Sequence, residues 1–481
     1  MSTAPLATPF FAARTTKDTV PLIRMPAEVD RSWLRSLPAH HSAWLQAQGK
    51  KLGKPGQVIL TPADSGGGLD AVYFTPTAHA GASWSLAHVP GVLPEGRYAL
   101  SDDALEGKGQ ATQAAFGWAL AQLPDQRFLS EPEARAPREL VWPGAADRDE
   151  VAAWLEGVVL ARRLVNTPAE NLGPAELSDA ARALVETFKG RMQEVVGEDL
   201  RSEGFPAAYA VGKGALPSRA PRVMALRFTA SKSAPTVALV GKGVVFDTGG
   251  LDIKPRSSMR HMKKDMGGAA VALGVARGLL ESGANLNLLV VIGAVENAVS
   301  AGAFRPGDVL DTRKGLTVEV GDTDAEGRLV LADCLTFAGE QEPDLILDFA
   351  TLTGAARVAL GPDLPPVMAR DRALSTALAA AGEAIGDPLW PMPMHMPYGQ
   401  HLRSSIADMG NITEGFPFAG SITAGLFLER FVPKDVPWAH LDVFCWNPSS
   451  RPGRPAGGEA HAVRAAMNFL KSWKPAKKSG R

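Results

Sequence analysis

Cysteine is almost missing from this chain: 481 residues hold two, Cys334 and Cys445, each inside an apolar segment. A disulfide framework is excluded, and two buried thiols in a reducing compartment are the reading that remains. No apolar run approaches the roughly 20 residues that span a bilayer. The N-terminal stretch MSTAPLATPFFAARTTKD has no basic head followed by a long apolar segment, so no signal peptide is read there. A cytoplasmic location follows as the expectation, and the Asn411-Ile-Thr413 sequon is then a chance match. Excess charge is also missing. Fifty Lys and Arg stand against 51 Asp and Glu, so neither nucleic acid nor an anionic membrane is implied as the main partner. There is no internal repeat, and the one biased segment, the basic tail Lys471 to Arg481, reads as a frayed terminus.

What is present fits a two-domain α/β protein, because 481 residues exceed what one hydrophobic core usually supports. Residues 1–145 read as a small N-terminal α/β domain, with strands at Val58–Leu60 and Ala71–Phe74, a helix over Ala111–Leu120, and turns at Pro55-Gly56, Gly66–Gly68 and Pro90-Gly91. Its polar residues point to no chemistry, so an assembly or regulatory role is expected. The Pro-, Glu- and Arg-rich segment Ser130–Arg148 is the candidate boundary. Beyond it, residues 146–481 alternate strand, loop and helix. Apolar residues at helical spacing predict a helix over Asp149–Val165 that stops at Asn166-Thr-Pro168, since the residue before proline leaves the α region. A second helix is read over Pro174–Lys189. Strands are predicted at Arg222–Phe228, Thr236–Val240, Leu286–Val295, Leu316–Val320, Leu345–Phe349 and Trp438–Val443. Helices are predicted over Gly267–Glu281, Arg328–Glu340, Leu374–Ile385 and Gly458–Trp473. The sum is a larger C-terminal domain with a mixed β-sheet sandwiched by helices.

Two stretches stand out, Gly241–Asp265 (GKGVVFDTGGLDIKPRSSMRHMKKD) and Gly321–Leu329 (GDTDAEGRL). Both read as glycine-rich loops leaving the carboxyl ends of the Thr236–Val240 and Leu316–Val320 strands, where open α/β sheets gather their functional groups. Asp247, Asp265, Asp324 and Glu326 brought together would repel one another unless cations neutralised them. A lone Asp in such a loop is usually a turn or helix cap; four at once argue for metal, with oxygen ligands suited to Zn²⁺, Mn²⁺ or Mg²⁺. The single histidine in either stretch, His261, makes a histidine-based zinc site a poor fit.

The motifs GKGVVFDTGGLDIKP, MKKDMGGAA and DTDAEGRLVLAD, in that order and spacing, resemble the leucine aminopeptidase family of cytosolic two-metal peptidases. Asn166-Thr-Pro-Ala-Glu-Asn171 and Thr351-Leu-Thr-Gly354 extend the resemblance over about residues 161–468; it is weak over the N-terminal domain. The resemblance implies that Lys242, Asp247, Asp265 and Glu326 hold one metal ion and Asp247, Asp324 and Glu326 the other, Lys242 as a neutral amine beside the cation. Two ions held this way lower the pKa of a shared water, polarise the scissile carbonyl and hold the free α-amino group of the substrate. It further implies that Lys254 steadies the oxyanion, that Arg328 holds a bicarbonate acting as general base, and that Met262, Asp322, Thr351, Leu352 and Gly354 line the substrate site. Taken alone, Met262 reads as a core methionine, Thr351 as a strand-end hydroxyl and Lys254 as a solvated loop lysine. Arg328 in a helix's first turn is placed against the helix dipole, which speaks for a role in function.

The activity implied is release of Leu-like N-terminal residues from peptides by a metal-dependent aminopeptidase, Zn²⁺ or Mn²⁺ being the ions, and the assembly implied is a hexamer. At Asp322 the family more often has Asn, and the run Trp438–Glu459 differs from the commoner ending, which bears on specificity. The alternative is a DNA-binding or structural relative with secondary or absent peptidase activity; every ligand position here is filled, and the charge balance does not point to DNA. A two-metal phosphatase or nuclease would use similar carboxylates, but the lysine ligand argues against it. His440, on a strand, reads as a satisfied core histidine.

Overall fold

The computed structural model describes residues 6–48, 51–64, 67–77, 81–101, 105, 107–133 and 135–475. Met1–Pro5 of the N-terminal stretch, Gly66 of the Gly66–Gly68 turn, Ala134 of the boundary segment and the basic tail after Pro475 lie outside the described residues. The chain forms two compact units, Met1–Glu156 with Ser449–Pro455, and Gly157–Pro448 with Ala456–Arg481.

The first unit is built on a six-stranded sheet in the order Phe11–Ala12, Arg138–Val141, Gly96–Leu100, Val20–Arg24, Leu69–Phe74, Val58–Pro62. All neighbours are parallel except the last pair. Both strands read from the sequence are present, and the helix runs over Gly107–Leu120. The sequence reading missed Val20–Arg24 and Gly96–Leu100 because Pro21 and Gly96 interrupt their apolar character. It also missed Arg138–Val141, a strand inside the charged segment that had read as linker.

The second unit holds an eight-stranded mixed sheet in the order Trp390–Pro391, Pro366–Ala369, Trp438–Asp442, Leu345–Ala350, Thr236–Asp247, Asn287–Asn297, Arg222–Phe228, Arg191–Val196. The four central strands, Trp438–Asp442 through Asn287–Asn297, are parallel to one another, and antiparallel pairs flank them. On one face Val223, Ala238, Val240, Val291 and Ile346 share a core with the helices Pro206–Gly212, Gly327–Glu340 and Gly420–Glu429. The helix Gly267–Glu281 lies against the other face. Central strands covered on both sides read as continuous apolar runs, which is why the sequence revealed them.

Three expectations need correction. The strand read as Thr236–Val240 continues to Asp247, so Gly241–Gly243 is not loop. Gly241 sits there because a Cβ would lie 2.6 Å from the Cα of Ala269 on the covering helix; it marks close packing rather than a turn. The predicted strand Leu316–Val320 is Thr317–Glu319 and belongs to a separate three-stranded sheet with Val309–Asp311 and Met409–Gly410, not to the main sheet. The last helix begins at Val463, after a two-residue strand Gly457–Gly458 and Ala462 with φ of 68°. His440 and both cysteines are buried as read, with His440 Nδ1 2.5 Å from Asp348 Oδ1.

Candidate active site

The central strand delivers two side chains to its carboxyl end: Lys242, opposite Gly293 in the parallel pairing, and Asp247 at the tip. The Gly249-Gly250 turn then folds the chain back. Gly249 has φ of 87°, and a Cβ on it would lie 2.5 Å from the carbonyl of Asp252 and 3.0 Å from Asp324 Oδ1, so only glycine brings this backbone against the site. Lys254 follows on the returning strand of loop. Asp265 comes from the short turn Met262–Met266 that leads into the helix Gly267–Glu281, and Glu326 caps the helix Gly327–Glu340. Two of the four carboxylates therefore arrive at helix N-termini, where the backbone dipole favours negative charge.

These groups meet. One oxygen each from Asp247, Asp265 and Glu326 lie within 4.8 Å of one another. Lys242 Nζ is 2.7 Å from Asp265 Oδ2, 2.8 Å from Glu326 Oε1 and donates to the carbonyl of Thr351 at 3.2 Å. Lys254 Nζ is 2.7 Å from Asp247 Oδ2 and also pairs with Asp324. Asp247 Oδ1 accepts from Gly249 N and from Asn297 Nδ2, both at 2.9 Å. Thr351 Oγ1 donates to Asp265 Oδ1 at 2.8 Å. Asp265 Oδ2, Glu326 Oε1 and Asp324 Oδ1 are each met by a lysine ammonium and, among the described residues, by no other donor. Four carboxylates against the two close lysines leave negative charge that hard or borderline divalent cations would neutralise. The residues fit a metal pair.

The charges bear this out. Burial first, and then the neighbouring Asp247, push Glu326 well above the ordinary glutamate range and Asp324 to about 6. Burial would raise Asp265 as well, but Lys242, Lys264 and Lys254 together hold it below the usual carboxylate value. For Lys242 burial acts downward, yet Asp265, Glu326 and Asp247 outweigh it, so with protein groups alone its ammonium is held above the ordinary lysine value. Lys254 follows the same balance. Divalent cations on those carboxylates would reverse the sign at Lys242, the condition for ligation through a neutral amine.

Around the carboxylates is a cavity of about 620 Å³ lined by Lys242, Asp247, Lys254, Met262, Asp265, Asp322, Asp324, Arg328, Thr351, Leu352 and Gly354. Of the site residues read from the sequence, Glu326 alone is absent from the lining; it is buried behind the others. Asp322 has a local task too, since its Oδ1 accepts from Asp324 N at 2.7 Å and so orients the second ligand loop. Arg328 is buried in the first turn of its helix. Its Nη1 donates to the carbonyl of Asn411 at 2.6 Å, its Nε has no hydrogen-bond partner, and burial lowers its pKa despite Glu326, Asp442 and Asp322 nearby.

Several residues that build the site carried no readable signal. Asn411, noted only as a chance sequon, is fully buried: its Oδ1 accepts from Gly321 N at 2.8 Å and Asp322 N at 3.3 Å, and its Nδ2 donates to the carbonyls of Asp322 at 2.7 Å and Ala325 at 3.3 Å. Asn297 ties Asp247 to the carbonyl of Thr323 at 3.0 Å. Asp442 accepts from Leu352 N, Thr353 N and Thr353 Oγ1, which fixes the Thr351–Gly354 loop.

Residues 159–467 match the cytosol aminopeptidase family, catalytic domain, and residues 20–137 match the M17 aminopeptidase N-terminal domain. This chain belongs to the cytosol aminopeptidase family. It is a metal-dependent aminopeptidase, a hydrolase acting on peptides. The family match reaches the N-terminal unit, where the sequence motifs had been weak. A probable cytosol aminopeptidase of Roseiflexus castenholzii is 41% identical over 353 residues, 73% of this chain and 71% of that one. The crystal structure of the cytosol aminopeptidase from Coxiella burnetii superposes with a TM-score of 0.89 at 40% identity, covering 96% of this chain and 98% of that one. The bottromycin maturation enzyme BotP, solved in complex with Mn, superposes at 0.82 with 31% identity over 95% and 99% of the two chains. The mixed α/β architecture is that of the family. Among the described residues no helix is long and apolar enough to cross a membrane.

Proposed function

We propose that this chain releases N-terminal residues, Leu-like ones among them, with two divalent ions held by Lys242, Asp247, Asp265, Asp324 and Glu326. The observation that carries this is the convergence of those five side chains at one end of one cavity, four carboxylates against the Lys242 and Lys254 ammoniums. Asp247 and Glu326 would belong to the ligand sets of both ions. The ions, Zn²⁺ or Mn²⁺, supply a water of lowered pKa and polarise the scissile carbonyl; the relative solved with Mn supports manganese as one candidate.

The remaining roles belong to protein groups. Lys254 stays charged and stabilises negative charge as it develops on the carbonyl oxygen. Arg328, held by the carbonyl of Asn411, offers a guanidinium fork that would hold a planar anion such as bicarbonate, which would supply a general base. The loop carrying Thr351, Leu352 and Gly354, held by Asp442 through Leu352 and Thr353, positions the substrate chain, while Met262 offers apolar contact to the first side chain. Asp322 acts on the substrate side through the loop it orders. Metal-quantified protein loaded with Mn²⁺ or Zn²⁺ should hydrolyse leucine amide and leucyl anilides; two metals per chain with no turnover would overturn the reading. A hexamer and a cytoplasmic location go with this function, and a monomer on sizing would remove the first. No observation favours DNA binding, and the neutral charge balance gives it no footing.

A further inference from the structure

Lys264 is out of place in this site. Its neighbour Lys263 turns away and donates to the carbonyl of Asn166 at 2.6 Å. Lys264 instead lines the catalytic cavity, with its side chain only 8% exposed. Its single ion pair among the described residues is Asp265 Oδ1 at 4.0 Å, beyond hydrogen-bond reach, and that oxygen already accepts from Thr351 Oγ1. What it does touch is aromatic: Nζ lies 5.2 Å from the ring centroid of Phe444, and the guanidinium of Arg357 lies 5.1 Å from the same ring. Two cations thus flank one ring on the cavity wall. Burial works against the Lys264 ammonium and Asp265 is the charge that supports it, so an anion bound beside it would stabilise the charged form.

The position decides which ligand group that is. In the function proposed above, on which this inference rests, Met262 contacts the first residue's side chain, and Lys264 lies two residues on in the same Met262–Met266 turn and lines the same cavity. Asp442, which also lines the cavity, has both oxygens engaged by Leu352 N, Thr353 N and Thr353 Oγ1. Asp322, further round, is engaged with Asp324 N. We infer that the first-residue pocket accepts acidic N-terminal residues beside apolar ones, and that Lys264 pairs with their side-chain carboxylate, with Arg357 adding positive potential at the rim.

The test is a kcat/KM panel on metal-quantified full-length protein with leucyl, glutaminyl, glutamyl and aspartyl anilides. Glutamyl and glutaminyl substrates have the same shape and differ in charge, so their ratio isolates the ammonium. Wild type should favour glutamyl over glutaminyl, and Lys264→Met should lower that ratio roughly tenfold to a hundredfold, the range of one charge-assisted hydrogen bond. Lys264→Arg, which keeps the charge, should retain the preference at unchanged metal content. Equal wild-type rates for the glutamyl and glutaminyl substrates overturn the inference even if neither variant folds. A ratio unmoved by Lys264→Met overturns it as well. Loss of the leucyl substrate too, with metal bound in wild type, instead removes the aminopeptidase reading beneath it.

Discussion

Asn411→Ala tests whether the second ligand loop is built by one buried amide. The side chain closes two short hydrogen bonds, 2.8 Å from Gly321 N and 2.7 Å to the carbonyl of Asp322, and two longer ones at 3.3 Å. Truncation leaves their half-buried backbone partners unpaired. At about 1–3 kcal/mol for each abandoned group, the two short bonds alone put the local penalty at roughly 2–6 kcal/mol. The loop between them carries Asp324 and leads into Glu326, and the Asn411 carbonyl holds Arg328 Nη1. Part of that penalty should therefore appear as lost ligand positioning, and outer residues that orient metal ligands are typically worth about 10–100-fold in metal affinity or activity. Titration of metal-stripped protein with Mn²⁺ should show weakened binding of that size, together with lower kcat. Secondary structure by circular dichroism should stay close to wild type, since the main sheet does not depend on this loop. If Asn411→Ala retains wild-type metal affinity and turnover, the hydrogen bonds are incidental and the reasoning fails.

Further outcomes follow from the same geometry. Glu326→Ala should lose both metal and activity, whereas Lys254→Ala should lose activity while keeping metal; metal analysis beside a leucyl anilide assay separates the two, and wild-type turnover in either variant removes its assignment. Asp324 is raised to about 6 by burial and then by Asp247, so it takes a proton as pH falls through that value and must give it up to ligate. Metal affinity should accordingly decline below about pH 6, with proton release on binding that calorimetry in buffers of different ionisation enthalpy detects; flat affinity between pH 5 and 7 contradicts this. Asn297→Ala should leave Asp247 with one fewer donor and weaken metal retention by a smaller factor than Asn411→Ala, measured by the same titration. Chelator treatment should abolish leucine amide hydrolysis, and readdition of Mn²⁺ or Zn²⁺ should restore it.

The sequence by itself determined the chemistry and most of the catalytic unit's fold. Central strands such as Leu345–Ala350 are buried on both faces, so they stand out as unbroken apolar runs, and the proposed ligands lie in two short motifs dense in carboxylates. The chain alone misled where a residue's reason lies far away in sequence. Gly241 looked like a loop residue because nothing local says that Ala269 presses on it. The Thr317–Glu319 strand looked like part of the main sheet because three residues carry no record of their partners at Val309–Asp311 and Met409–Gly410. Asn411 showed only a chance sequon because an asparagine's use depends on which backbone groups it meets, here some 90 residues earlier. Lys264 differs from Lys263 by one position in the chain; the turn Met262–Met266 decides that one leaves the site and the other enters it. Local pattern records what each residue can do, and tertiary packing decides which of those capacities is left facing the cavity.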